Sequence, residues 1–202
     1  EAGRDTFVNL VRTADVVLES FGPGYLASLG LGYEELAAER PGLVLTSITS
    51  FGQTGPYRDF LANDLIGNAL GGVLYMSGEL GEAPFAQPYY QAYQMTGLHA
   101  AFGTLIALWH RMKTGQGQQV DVSMHEVVAH EFLQLVRYSS VQEIIQRSGR
   151  ISQNPVANNF PCKDGWVMVY TGAPAHQWTN LMEWTRDPIL MQTKYQDRLN
   201  RR

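Results

Sequence analysis

The residues with chemistry to offer lie in a few short stretches. The first is YYQAYQMTGLHAA, Tyr89 to Ala101. It reads as a loop of tyrosines running into a buried helix whose apolar spacing begins near Thr96. A helix start presents unpaired N–H groups and the positive end of the dipole, so a carboxylate or phosphate is its natural occupant. The loop nevertheless carries no charge, and Tyr93 stands near its centre. A second candidate is Asp64, which opens the apolar stretch from Asn63 to Met76, after a strand and loop. Parallel α/β sheets bind ligands at such places. As an ordinary helix-start carboxylate, Asp64 would instead satisfy free N–H groups, worth about 0.5–2 kcal/mol.

Other motifs carry less. HEVVAH, His125 to His130, has its histidines at i and i+5, not the i and i+4 of a metalloprotease helix. The two rings point about 140° apart on a helix, which is ordinary helix surface. Neither a cysteine cluster nor another histidine pair has ligand spacing, so no metal site is expected. GQTGPY lacks the GK[ST] ending of a phosphate loop, and TGQGQ lacks the third glycine of a dinucleotide fingerprint. TGQGQ reads as a tight turn. Ser47 and Ser50 lie near a strand end without a neighbouring histidine or a G-x-S-x-G elbow.

The elements that must position these residues follow from periodicity. Phe7, Leu10 and Val11 mark a helix, DVVLES a short buried strand, and YEELAAER a helix stopped by Pro41. LVLTSIT (Leu43 to Thr49) is a second buried strand, and Asn63 to Met76 a helix rich in small residues. A longer helix from Thr96 to Lys113 leads through TGQGQ into the strand QQVDVSM, and a further helix runs from His125 to about Gln146. Continuous apolar strands alternating with helices predict an α/β fold, a parallel sheet flanked by helices. The boundary is expected at Ser148. Residues 1–148 form the large domain, and 149–202 a linker (SQNPVANNFP) and the start of a smaller one at CKDGWVMVYTG, with a helix from about Pro174.

Composition narrows the function. The chain has 202 residues, 45% hydrophobic and 17% charged, with net charge −4, which suits a globular core and not a nucleic-acid-binding surface. Its longest apolar run, Leu98 to Trp109, is too short to span a bilayer. A single cysteine, Cys162, fits a reducing cytoplasm. The helix at the very start and the polar, basic end read as a piece of a longer polypeptide.

Taken in order, ADVVLESFGPGYLASLGLGYEEL, LVLTSITSFGQTGPY, NDLIGNALGGVLYMSG and TGLHAAFGTLIALWHRMKTGQGQQVDVSM resemble the family III CoA-transferases. This is the CaiB/BaiF group, which includes formyl-CoA transferase and α-methylacyl-CoA racemase. CKDGWVMV is a weaker match, similar to the start of the family's small domain. The likeness covers nearly all of this chain and about the middle half of a family member. It implies a Rossmann-like large domain, a small domain, and two chains interlocked as a dimer, acting on acyl-CoA and a carboxylic acid without a metal.

The resemblance also implies roles for residues. Ser20, Phe21 and Gly22 fall at CoA-binding positions, while a CoA-contacting arginine falls at Ser28 and a lysine at Leu61, so two cations able to face phosphate are gone. Asp64 matches an acidic position near the acyl site. The family's nucleophilic aspartate falls at Tyr93, and no Asp or Glu occurs from Ala83 to Val120 to replace it. A phenol has no carbonyl with which to carry CoA. The racemase's paired His and Asp fall at Asn63 and Tyr93, so its two-base chemistry is not expected. The implied function is CoA transfer between carboxylic acids with Tyr93 in the nucleophile's place and the chemistry run by another group, Asp64 or a residue outside this stretch of the family. The alternative is a catalytically inactive CoA-binding or scaffolding half of a fused or hetero-oligomeric transferase.

Overall fold

The computed structural model describes residues 2–79, 81–131, 157–170 and 175–196. The chain divides into two compact units, Glu1–Tyr75 with Phe85–Ile145, and Met76–Pro84 with Gln146–Arg202. The first holds a parallel three-stranded sheet in the order β1-β2-β3, built from β1 (Val16–Glu19), β2 (Val44–Thr49) and β3 (Gln118–Ser123). Val16 lies opposite Val44, and Val44 opposite Gln118. β2 is the central strand and is almost wholly buried, as its unbroken apolar run requires. β1 is less buried than DVVLES suggests. It stands at the end of the row, and Leu18 is 65% exposed.

Helices cover both faces. α1 (Ala2–Val11) and α3 (Tyr33–Glu39) bury Val11, Leu36 and Leu43, with Val17 of β1 packed against them. Between β1 and α3 lies the short α2 (Tyr25–Ser28). On the opposite face, Ile48, Val120 and Val122 pack against Ala100 of α6 (Gln91–Thr114) and Val127 of α7 (Met124–Glu131). Thr46 and Thr104 join β2 to α6 through a buried hydroxyl pair at 2.7 Å.

The helix expected over Asn63 to Met76 is instead two, α4 (Asp64–Leu70) and α5 (Val73–Met76). The break falls at Gly71-Gly72, where Gly72 takes φ +89°. Gly67 and Gly71 let α4 approach α7 closely. A β-carbon on Gly71 would stand 2.4 Å from Val128 Cγ1, and one on Gly67 2.8 Å from Met124 Cε. The part of the last expected helix beyond Glu131 lies outside the described residues.

α6 also begins earlier than its apolar spacing predicts, at Gln91 and not Thr96. Tyr93 therefore sits within its first turn. Tyr89 and Tyr90 precede it with φ of 65° and 53°, a left-handed conformation that costs non-glycine residues about 1–2 kcal/mol each. The small residues Ala92, Thr96, Ala100, Thr104 and Ala107 form the buried face. The large ones, among them Leu98, Phe102, Leu105, Trp109 and Met112, are 63–76% exposed. The helix is therefore buried on one face only. It ends at Gly115, φ +77°, whose N–H donates to the Arg111 carbonyl at 2.7 Å. The TGQGQ segment is thus a helix stop and tight turn.

The second unit contains β4 (Ala157–Cys162) and β5 (Gly165–Tyr170), paired antiparallel, and α8 (Ala175–Thr185), which buries Trp178 and Met182. ANNFP was expected to be linker. It is a strand because its pairing with β5 overrides weak local strand preference.

Candidate functional site

A cleft of about 690 Å³ opens at the carboxyl ends of all three parallel strands, the ligand-binding edge of such sheets. Ser20 to Pro23 follow β1, Ile48 to Ser50 end β2, and Met124 follows β3. The loop Arg58 to Ala62 and Tyr93, Thr96 and Gly97 of α6 complete the lining. Ser20, Phe21, Gly22 and Tyr93, far apart in sequence, therefore face one space. Leu61 joins them, but Ser28 does not. Its hydroxyl instead donates to the Tyr25 carbonyl at 2.7 Å.

Local hydrogen bonds hold the wall after β1. Glu19 Oε2 accepts the Phe21 N–H at 2.8 Å, and Phe21 packs against Tyr25 with ring centroids 4.9 Å apart. The Gly24 N–H, at φ +76°, donates to Gln53 Oε1, while the Gln53 N–H donates to Asp121 Oδ2 at 2.9 Å. Gln53 thereby ties FGPG to β3. Nothing in the sequence marks it for that task beyond its place in a glycine-flanked loop.

Asp64 is buried and does not line the cleft. Its Oδ1 accepts the backbone N–H of Tyr93 at 3.1 Å, and its Oδ2 accepts Asn68 Nδ2 at 2.9 Å. The start of α4 is capped instead by Asn63, whose Oδ1 accepts the Ile66 N–H at 3.1 Å. Asp64 thus serves the start of a neighbouring helix, not its own. The Tyr93 side chain lines the cleft half-exposed and stacks on Tyr90, with centroids 6.2 Å apart.

Among the described residues the cleft lining holds one cation and one anion, both missed in reading the sequence. Arg58 Nε donates to Asp59 Oδ1 at 3.2 Å. A β-carbon on Gly24 would stand 3.6 Å from Arg58 Nη2. The signal available was position alone, a cation three residues before Leu61.

The histidines of HEVVAH diverge. His125 packs on Phe51 at 5.9 Å and His130 lies edge-on to His99 at 5.9 Å. Among the described residues no three His, Cys, Asp or Glu side chains group to hold a metal. Ser47 Oγ accepts from Gln119 Nε2, the Ser50 carbonyl accepts the backbone N–H of His125, and among the described residues neither hydroxyl makes a hydrogen bond to an imidazole. No helix among the described residues is long and apolar enough to cross a membrane.

Comparison with known proteins agrees with this geometry. The chain is 39% identical over 91% of its length to succinyl-CoA:(R)-benzylsuccinate CoA-transferase subunit BbsE of Thauera aromatica, covering 45% of that protein. It is 36% identical over 83% of its length to the succinyl-CoA–L-malate CoA-transferase beta subunit of Chloroflexus aurantiacus, covering 42% of that one. The chain thus spans less than half the length of these relatives. A crystal structure of a CaiB/BaiF family protein from Brucella suis superposes with a TM-score of 0.78 and 29% identity over 94% of this chain and 52% of that one. The family model for CoA-transferase family III matches residues 1–202, and the chain belongs to that family.

Proposed function

We propose that the full-length protein transfers CoA between carboxylic acids as one of two family III chains, this one binding acyl-CoA and its partner supplying the nucleophile. In such a transfer an enzyme carboxylate attacks the thioester carbonyl, forming an anhydride and releasing CoA thiolate. The thiolate then attacks the enzyme's own carbonyl, freeing the first acid and leaving CoA bound as an enzyme thioester. The acceptor acid repeats both steps in reverse. A phenol at position 93 could be acylated, but it has no carbonyl for the thiolate to attack and so cannot carry CoA.

The observation that carries this reading is the state of Asp64 beside Tyr93. Both its carboxylate oxygens are engaged, one at the Tyr93 N–H and one at Asn68. To act as a stand-in nucleophile it would have to release both. The cleft's own carboxylate, Asp59, is 77% exposed and paired with Arg58, far from the dry setting that favours acyl transfer. Two relatives named as subunits support a shared enzyme, and the succinyl-CoA in their names is the donor we propose here. A homodimer would repeat Tyr93 in both subunits, so the chain that covers the exposed large side chains of α6 is proposed to be a different family III chain. Residues 149–202 are proposed as the start of the small domain, supported by the β4–β5 hairpin and α8. The single cysteine fits a reducing cytoplasm.

The test mixes the full-length protein, alone and with its partner chain, with succinyl-CoA and an isotopically labelled acid, and reads labelled thioester by mass spectrometry. Exchange only with the partner, unaffected by Asp64→Asn, is the expected result. Exchange by the protein alone, abolished by Asp64→Asn, would make Asp64 the nucleophile and remove the two-chain reading.

A further inference from the structure

Two family cations are missing at Ser28 and Leu61, yet the cleft is not without positive charge. Arg58 is the only Lys or Arg among its lining residues, and it stands in the same loop as Leu61. Asp59 takes one edge of the guanidinium, at Nε. The terminal nitrogens Nη1 and Nη2 make no hydrogen bond to the described residues. Nη2 lies over Gly24, within the FGPG turn that shapes one wall of the cleft. The side chain keeps 42% of its surface exposed. A guanidinium pinned at Nε and open at its terminal edge is arranged to receive a planar pair of oxygens.

We infer that Arg58 is the anion-binding residue of the cleft, its Nη1–Nη2 edge taking an oxyanion of the bound thioester. This inference rests on the acyl-CoA reading above. Two sources share the chemistry: a phosphate of CoA, or the distal carboxylate of a dicarboxylic acyl group such as succinyl. The position beside FGPG favours the phosphate, because glycine at Gly24 sets no side chain against the terminal edge of the guanidinium. Asp59 fixes the direction of the guanidinium and is the other charged side chain among the described residues of the lining.

The experiment measures dissociation constants of the full-length protein for CoA, butyryl-CoA and succinyl-CoA, in the wild type, Arg58→Ala and Arg58→Lys. If a phosphate is held, Arg58→Ala weakens all three equally, by about ten- to a hundredfold. If the distal carboxylate is held, only succinyl-CoA weakens. Arg58→Lys restores part of the loss in either case, because it keeps the charge without the fork. Unchanged binding in Arg58→Ala, with the wild type binding normally, overturns the inference and leaves the acyl-CoA reading standing. A wild type that binds none of the three removes that reading and the role of Arg58 with it.

Discussion

Asp64 Oδ1 accepts the backbone N–H of Tyr93 at 3.1 Å, so the carboxylate at the head of one helix caps the start of another. An uncharged tyrosine loop can therefore precede a helix start that favours an anion. The anion arrives from α4, 29 residues earlier in the chain. The same contact brings the segment holding Tyr93 up to the sheet's ligand edge.

Asp64→Ala removes both bonds and leaves the part-buried N–H of Tyr93 without its acceptor. The expected loss is about 2–4 kcal/mol in urea unfolding. Asp64→Asn keeps an acceptor for Tyr93 and should lose less than half as much. Equal losses would mean that charge, and not hydrogen bonding, sets the role of Asp64.

Tyr93→Phe should leave stability within about 0.5 kcal/mol of wild type, since the ring is half-exposed and its hydroxyl makes no hydrogen bond to the described residues. A loss above about 2 kcal/mol would show that the hydroxyl satisfies a buried group.

The Arg111 guanidinium, through its hydrogen bond and then its charge, holds the Asp15 carboxyl below the usual carboxylate range, and Arg40 adds to this. A folded-state value below the unfolded one contributes stability above the unfolded value and loses it as pH falls through the folded value. Wild type should therefore exceed Asp15→Asn in stability at neutral pH, with the gap closing under acid. High salt should narrow the gap as well, because the Asp15 side chain is 60% exposed. A gap independent of pH between neutrality and strong acid would refute the account.

Gly117→Ala should cost about 3 kcal/mol or more, because the new β-carbon would fall 1.9 Å from the Leu43 carbonyl oxygen. Gly115→Ala meets no neighbour and carries only the positive-φ penalty, about 1 kcal/mol. Thermal melts of the two variants give the comparison directly.

Much of this was legible in the sequence. Leu43 to Thr49 reads as a buried strand because nothing polar interrupts its first residues, whereas its register to Val16 and Gln118 appears only in the structure. Ser20, Phe21, Gly22 and Tyr93 could be placed together only through the family likeness, since periodicity carries no information about which loops meet. The start of α6 was misjudged because the group that stabilises it lies outside its own sequence, at Asp64. The break at Gly71-Gly72 was visible as two glycines, but the close approach to Val128 that Gly71 permits is a tertiary fact. Arg58 was invisible for the same reason. A loop arginine declares nothing until the wall opposite it is known.

α6 has a consequence for anyone who wishes to alter this chain. A hydropathy plot along the helix ranks its residues in reverse order of their value to the sheet beneath. Phe102 and Met112, 64% and 76% exposed, take no part in this chain's own core, so glutamate or lysine at either should barely move its melting temperature while weakening the pairing with a second family III chain proposed above. Ala100 and Ala107, at 3% and 1%, admit nothing larger, and leucine at either should lift α6 from the strands at a cost of about 1–3 kcal/mol. What the chain's own fold can spare is its greasiest stretch, and what it cannot spare is made of alanine and threonine.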